Sequence, residues 1–246
     1  MDAFGVRLAD GRDLRVVQIG PPAGRPVLYL HGAGGTPLRS CPEAVAAVEG
    51  AGVRLLCPAR PGFGGSTPKP GRRLTDYPAE LEQLADALGL ERFALLGVSA
   101  GGAHAAACAR ALRARVVATA VSAGCVPVTR PRLRAAAAAV CVTGCARAGA
   151  GSARDVLHDV LLAMGPWGFA PEEVAGEVHW WHGARDPFVA LTDARALFGR
   201  MPDCHATVLT DEGHFFLRRH LGEMLAGLVG AWEAGLRVGT RMLTVA

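Results

Sequence analysis

A serine hydroxyl is a weak nucleophile until a neighbouring base takes its proton and a carboxylate holds that base in the right tautomer. The 246-residue chain carries all three residue types in contexts that suit those roles. Ser99 lies in Gly97-Val98-Ser99-Ala100-Gly101, Asp186 in His182-Gly183-Ala184-Arg185-Asp186-Pro187, and His214 in Asp211-Glu212-Gly213-His214. The order serine, acid, histidine suits nucleophilic acyl transfer at one edge of a parallel sheet. Ser99 falls between a predicted strand, Phe93 to Val98, and a predicted helix from Ala100, so it sits on a tight turn that needs the small residues Gly97, Gly101 and Gly102.

The remaining histidines fit the role of base less well. His31 and His182 precede glycines at strand ends, His104 lies inside the helix after Ser99, and His179 lies within a strand. His158, His205 and His220 lack a loop context of this kind. For the acid, the loop after the strand Val116 to Val121 offers Ser122, Ala123, Gly124 and Cys125 but no carboxylate, which leaves Asp186. The competing reading of Asp186 is a cap on the helix that follows Pro187.

A tetrahedral oxyanion needs two converging backbone N–H donors. Ala100, at the helix start, is one candidate, and Ala33 in His31-Gly32-Ala33-Gly34-Gly35 is the other. That glycine-rich loop lacks the GxGxxG or GxxxxGK[ST] spacing of a phosphate cradle. No metal or organic cofactor is implied.

These residues need a sheet to hold them. Asp13 to Ile19 and Val27 to Leu30 read as strands separated by Gly20-Pro21-Pro22-Ala23-Gly24, which predicts an antiparallel start. Alternation follows: a helix Leu38 to Gly50, a strand Arg54 to Cys57, a helix Asp76 to Leu88, and the elements around Ser99. After Val121 the rhythm breaks. It resumes with a strand Val178 to Trp181, a helix Leu191 to Arg200, a strand Ala206 to Leu209 and a long helix from Phe215 to about Ala234. Such alternation predicts an α/β protein with a mostly parallel sheet covered by helices on both faces. The expected division is a core of residues 1–125 and 171–246 with a small helical cap insertion, 126–170. Within the insertion Pro131 opens one helical stretch and Ser152 caps a second. The tail from Arg237 reads as either a frayed end or an extra edge strand.

Composition narrows the classes. Half the residues are hydrophobic, mean hydropathy is +0.24, and the net charge is +4, with Lys69 the one lysine among 26 basic residues. That arginine bias, with abundant Ala and Gly, suits a GC-rich bacterial genome. The arginines are scattered and aromatics are 6%, which argues against nucleic acid as a partner. Arg130, Arg132 and Arg134 form one local cluster at the start of a helix. The uncharged apolar stretch Ala135 to Ala146 is too short to span a membrane, and the N-terminus lacks the apolar core of a secretory signal. Seven scattered cysteines without a CxxC pattern suit reduced thiols in the cytoplasm.

Taken together, HGAGG (31–35), RPGFGGS (60–66), GVSAGG (97–102), HGARDPF (182–188) and DEGH (211–214) resemble the successive signatures of the α/β-hydrolase superfamily. The resemblance implies the α/β-hydrolase fold, a Ser99-His214-Asp186 triad, an oxyanion hole framed by Ala33 and Ala100, and a structural turn at Pro61-Gly62-Phe63-Gly64. Gly165-Pro166-Trp167-Gly168-Phe169 looks like the matching segment of bacterial hydrolases. The cap it belongs to is short, and Met164, Trp167 and Phe169 either face the substrate or pack the cap. The function implied is hydrolysis of a carboxylic ester, with a small-molecule acyl substrate. The alternatives in the same superfamily are lyase, cyclase or perhydrolase chemistry, or a non-catalytic ligand receptor.

Overall fold

In the central strands of the computed structural model, successive side chains enter opposite cores. Phe93 and Leu95 belong to one apolar cluster, and Ala94 and Leu96 to a second on the other face. Val27 and Tyr29 alternate with Leu28 and Leu30 in the same way. Strands buried on both faces read as continuous apolar runs, which is the signature of a parallel sheet between two helical layers. The structure describes residues 2–35, 38–128, 135, 139 and 152–243.

Eight strands make one sheet: β1 (Asp2–Arg7), β2 (Asp13–Ile19), β3 (Arg25–Leu30), β4 (Val53–Pro58), β5 (Phe93–Val98), β6 (Val116–Ser122), β7 (Glu177–Gly183) and β8 (Cys204–Leu209). Their spatial order is β1-β2-β4-β3-β5-β6-β7-β8. β2 pairs antiparallel with β1 and β4, and all remaining pairs are parallel. The antiparallel start is therefore made by β1 and β2, not by β2 and β3, which are separated by β4. Asp10-Gly11, flanked by Val6 and Leu14, is the hairpin signal that marks β1.

Six α-helices are described: α1 (Pro42–Gly50), α2 (Tyr77–Ala87), α3 (Ala100–Ala111), α4 (Ala153–Met164), α5 (Leu191–Phe198) and α6 (Leu217–Leu243). The helix expected from Leu38 begins at Pro42 instead, after a 3₁₀ turn at Leu38–Ser40, because proline tolerates only the first turn of a helix. Helices α1 and α6 cover one face, and α2, α3 and α5 cover the other. The residues from Ala100 to Ala109 in α3 are all buried, and their small side chains let the helix pack between the sheet, α2 and α4.

Helix α6 runs through the segment expected to fray or form a strand, so the tail is helical to Leu243. Ser152 caps α4 as expected, its Oγ accepting from the Asp155 amide at 3.1 Å. The first helical stretch of the cap and the Arg130-Arg132-Arg134 cluster lie outside the described residues, apart from two helical positions, Ala135 and Ala139. Among the described residues no helix is long and apolar enough to cross a membrane, and Cys41, Cys57, Cys108, Cys125 and Cys204 form no disulfide.

Candidate active site

Parallel register brings the carboxyl ends of the central strands to one edge: Leu30 opposes Gly97, Val98 opposes Ser122, Ser122 opposes Trp181, and Gly183 opposes Leu209. Every loop that follows them opens on the same crevice. Ser99 stands at the turn after β5 with φ 53° and ψ −118°, a conformation that costs an L-residue energy and must be held by its surroundings. Its N–H donates to the Ser122 carbonyl at 2.9 Å, and its carbonyl accepts from Gly102 and Cys125 amides at 2.9 Å each. Glycine is obligatory on both sides. A Cβ on Gly97 would meet the Gly101 carbonyl at 2.6 Å, and one on Gly101 would collide with the Leu30 carbonyl.

His214 reaches the same point from the loop between β8 and α6. Its Nε2 lies 3.0 Å from Ser99 Oγ, and its Nδ1 lies 2.7 Å from Asp186 Oδ2. A carboxylate only accepts, so Nδ1 carries the proton and Nε2 is left to take the serine proton. The Asp186 side chain is fully buried. Its other oxygen accepts from the Phe188 and Val189 amides at 2.8 and 3.0 Å. Helix α5 starts only at Leu191 with Ala190 as its cap, so the helix-cap reading of Asp186 does not hold. Burial works against ionisation of Asp186, but the bond and charge of His214 and the two amides outweigh it and keep the carboxyl below its ordinary range.

The acid and base loops are laced together. Arg185 N–H donates to the Glu212 carbonyl at 2.9 Å, and Ala184 N–H to the Leu209 carbonyl at 2.9 Å. Gly183 makes this approach possible, since a Cβ there would run into the Glu212 and Gly213 carbonyls. Cys125 closes another side, with Sγ 3.7 Å from Ser99 Oγ.

The Ala100 amide is the first of α3, where no carbonyl four residues earlier can accept it. Gly32 lies against Ser99: a Cβ on it would be 3.5 Å from Ser99 Cβ. Ala33 follows in the same loop, and no backbone carbonyl of the described residues accepts from its amide. Gly32 and Ala100 thus adjoin Ser99 from two segments, with Ala33 the residue after Gly32.

A buried charge network supports that loop, and local sequence patterns did not reveal it. Arg60 and Asp159 have no solvent exposure at all, and Arg60 Nε and Nη2 bond the two carboxylate oxygens at 3.0 and 2.6 Å. Arg72 adds a third bond to Asp159 at 3.0 Å. The same Arg60 donates to the His31 carbonyl at 2.5 Å and the Gly32 carbonyl at 3.2 Å. His31 completes the grip, its Nδ1 donating to the Gly32 carbonyl at 2.7 Å while its Nε2 accepts the Arg60 amide at 3.1 Å. Burial raises the cost of the Asp159 charge, but Arg60, His104 and Arg72 hold the carboxyl far below its usual range. The one available signal was an acid within the apolar stripe Val156, Val160 and Ala163 of α4.

Met164 and Trp167 are buried among the core cluster, and the Trp167 indole donates to the Ala163 carbonyl at 2.9 Å. Trp167 packs on Phe169, whose ring lies 5.5 Å under the Arg110 guanidinium. Arg110 occupies the last turn of α3, about 15 Å along the helix from Ala100. Phe169, with Trp167 against it, therefore packs at the far end of that helix. Among the described residues no group of three or more His, Cys, Asp or Glu side chains could hold a metal ion.

A family model described as alpha/beta hydrolase fold matches residues 25–135. No curated protein matches by sequence. Solved structures that superpose well include a hydrolase from Pseudomonas aeruginosa PA01, with a TM-score of 0.77 at 16% identity over 93% of this chain and 98% of that one. An esterase from Exiguobacterium antarcticum gives 0.76 at 16% identity over 92% and 97%. A bromoperoxidase from Bacillus anthracis gives 0.75 at 17% identity over 94% and 100%.

Proposed function

This chain has the α/β-hydrolase fold, and on that premise we propose that it is a serine hydrolase that cleaves a carboxylic ester or related acyl bond through an acyl-enzyme. The observation that carries the reading is the unbroken hydrogen-bond chain from Ser99 Oγ through His214 to Asp186. His214 Nε2 takes the hydroxyl proton as Ser99 Oγ bonds to the substrate carbonyl carbon. The carbonyl π electrons move to oxygen, where the Ala33 and Ala100 amides hold the negative charge. Collapse of this intermediate breaks the bond to the leaving oxygen, which receives the same proton from His214. Water then repeats the sequence: His214 removes its proton, hydroxide bonds to the acyl carbon, and Ser99 leaves with the proton restored. Asp186 remains ionised throughout and stabilises the transient imidazolium.

Covalent labelling with a fluorophosphonate tests the nucleophile. Labelling of the wild type that disappears in Ser99→Ala is expected, and labelling that survives that substitution removes Ser99 from the mechanism. Turnover of small nitrophenyl esters tests hydrolysis itself. Labelling without such turnover favours lyase, cyclase or perhydrolase chemistry at the same serine.

A further inference from the structure

Two aromatic rings bracket His214 on the solvent side of the site. Phe188 meets the imidazole at 5.1 Å between centroids, Phe215 meets it at 5.2 Å, and the two phenyl rings lie 5.7 Å apart. Both are exposed, Phe188 by 38% and Phe215 by 77%, whereas the next residue, Phe216, is wholly buried beneath the sheet. Adjacent residues of an extended segment point to opposite sides, so anchoring α6 through Phe216 turns Phe215 outward. Phe215 gains almost nothing for the fold by standing in water, yet it forms a continuous apolar surface with Phe188 beside the base.

The chemistry of the base says what meets this surface. In the proposed mechanism His214 Nε2 gives its proton to the leaving oxygen, which must come within hydrogen-bond reach, roughly 3 Å. The carbon group on that oxygen then extends past the imidazole, and the exposed apolar side chains in contact with that imidazole are Phe188 and Phe215. The acyl group lies on the other side of the scissile bond. We infer that Phe188 and Phe215 form the leaving-group subsite, and that the preferred substrates are esters of apolar alcohols, aromatic ones above all. This inference rests on the hydrolase reading given above. Edge-to-face packing of a substrate ring on each phenyl ring is worth roughly 2- to 10-fold in relative rate.

The test compares benzyl and ethyl acetate, whose alcohols have similar acidity, so that the ratio of kcat/KM reads contact with the subsite rather than bond reactivity. The wild type should favour the benzyl ester at least about 10-fold, and Phe188→Ala and Phe215→Ala should each lower that ratio roughly 2- to 10-fold. Varying the acyl chain on a constant alcohol should give the same profile in wild type and variants. An unchanged benzyl-to-ethyl ratio, an equal loss for both esters, or a shift in acyl preference instead would each overturn the assignment. So would a concentration-dependent dimer abolished by Phe215→Ala, which would make a second copy of the chain the occupant. Fluorophosphonate labelling of the wild type separates the two readings. Labelled protein with no leaving-group preference loses only the subsite, while unlabelled protein loses the hydrolase.

Discussion

Arg60 and Asp159 form a bidentate ion pair with neither side chain exposed to solvent, joining the turn after β4 to helix α4. Two buried charges recover their lost hydration only while both are present. Asp159→Ala strands the Arg60 and Arg72 guanidiniums together, and the expected loss is about 3–5 kcal/mol of unfolding free energy. Replacing the whole cluster, as Arg60→Met and Arg72→Met with Asp159→Leu, should cost much less, because no buried charge is then left without its partner. Urea unfolding of the single and triple variants reads this difference. Equal losses in both would mean that packing volume, rather than an uncompensated charge, governs the site. The triple variant should also lose turnover while keeping its fold, since the His31 and Gly32 carbonyls lose their Arg60 donors.

The same network makes stability depend on pH. Burial, reinforced by the Arg60 charge, pushes His31 down to about 3 and His104 down to about 4, so both are neutral in the native protein. In the unfolded chain each takes a proton near its ordinary value of 6.5. Between those limits the unfolded state binds more protons, so stability rises with pH across that window and levels off above it. Lowering the pH from about 6.5 to about 4 should therefore remove on the order of 3 kcal/mol for each histidine. Denaturation midpoints measured from pH 7.5 to 4.5 check the slope, and a flat profile would mean that both histidines are charged in the native state.

The three residues of the proposed triad were legible because each sits in a short segment whose local rules are strict. A strand-to-helix turn needs glycine at 97 and 101, and the loops after β7 and β8 each carry one residue of the needed type, Asp186 and His214. Arg60 and Asp159 were not legible in this way, because 99 positions separate them and only the folded chain brings them together. Helix α6 outran its expected end near Ala234, passing through Gly235 and Gly239. A helical glycine costs only about 1 kcal/mol relative to alanine, which is too little to end a long helix by itself. Trp167 and Phe169 were read from a segment that resembles other hydrolases, and such a resemblance carries no side-chain direction; Phe169 lies on Arg110 and Trp167 on Phe169.

Asp186→Asn probes the tautomer. The Oδ1 position already accepts two amides, so an asparagine there keeps its oxygen on that side and turns its NH₂ toward His214. Two donors would then face each other unless the imidazole moved its proton to Nε2, which would leave no base for Ser99. The expected result is a fall in kcat of about 10⁴-fold with KM little changed. Steady-state kinetics on a nitrophenyl ester decide it, and a loss below about 10-fold would assign Asp186 a structural role.

Gly183 and Gly213 face each other where the acid and base loops meet, yet they should respond differently to substitution. A Cβ on Gly183 would strike the Glu212 and Gly213 carbonyls, which are backbone and cannot swing aside, whereas one on Gly213 meets only the Arg185 carbonyl at 3.7 Å. Gly183→Ala must therefore push the loop bearing His214 away from the loop bearing Asp186, at a cost of about 1–3 kcal/mol. Displacing the base by about 1 Å from Ser99 lowers turnover on the order of 10²-fold. Gly213→Ala should leave both stability and rate within a factor of a few of wild type. Thermal unfolding and ester turnover measured on the two variants side by side test the relationship, and equal behaviour would show that the spacing of the two loops is not set by the missing side chain at Gly183.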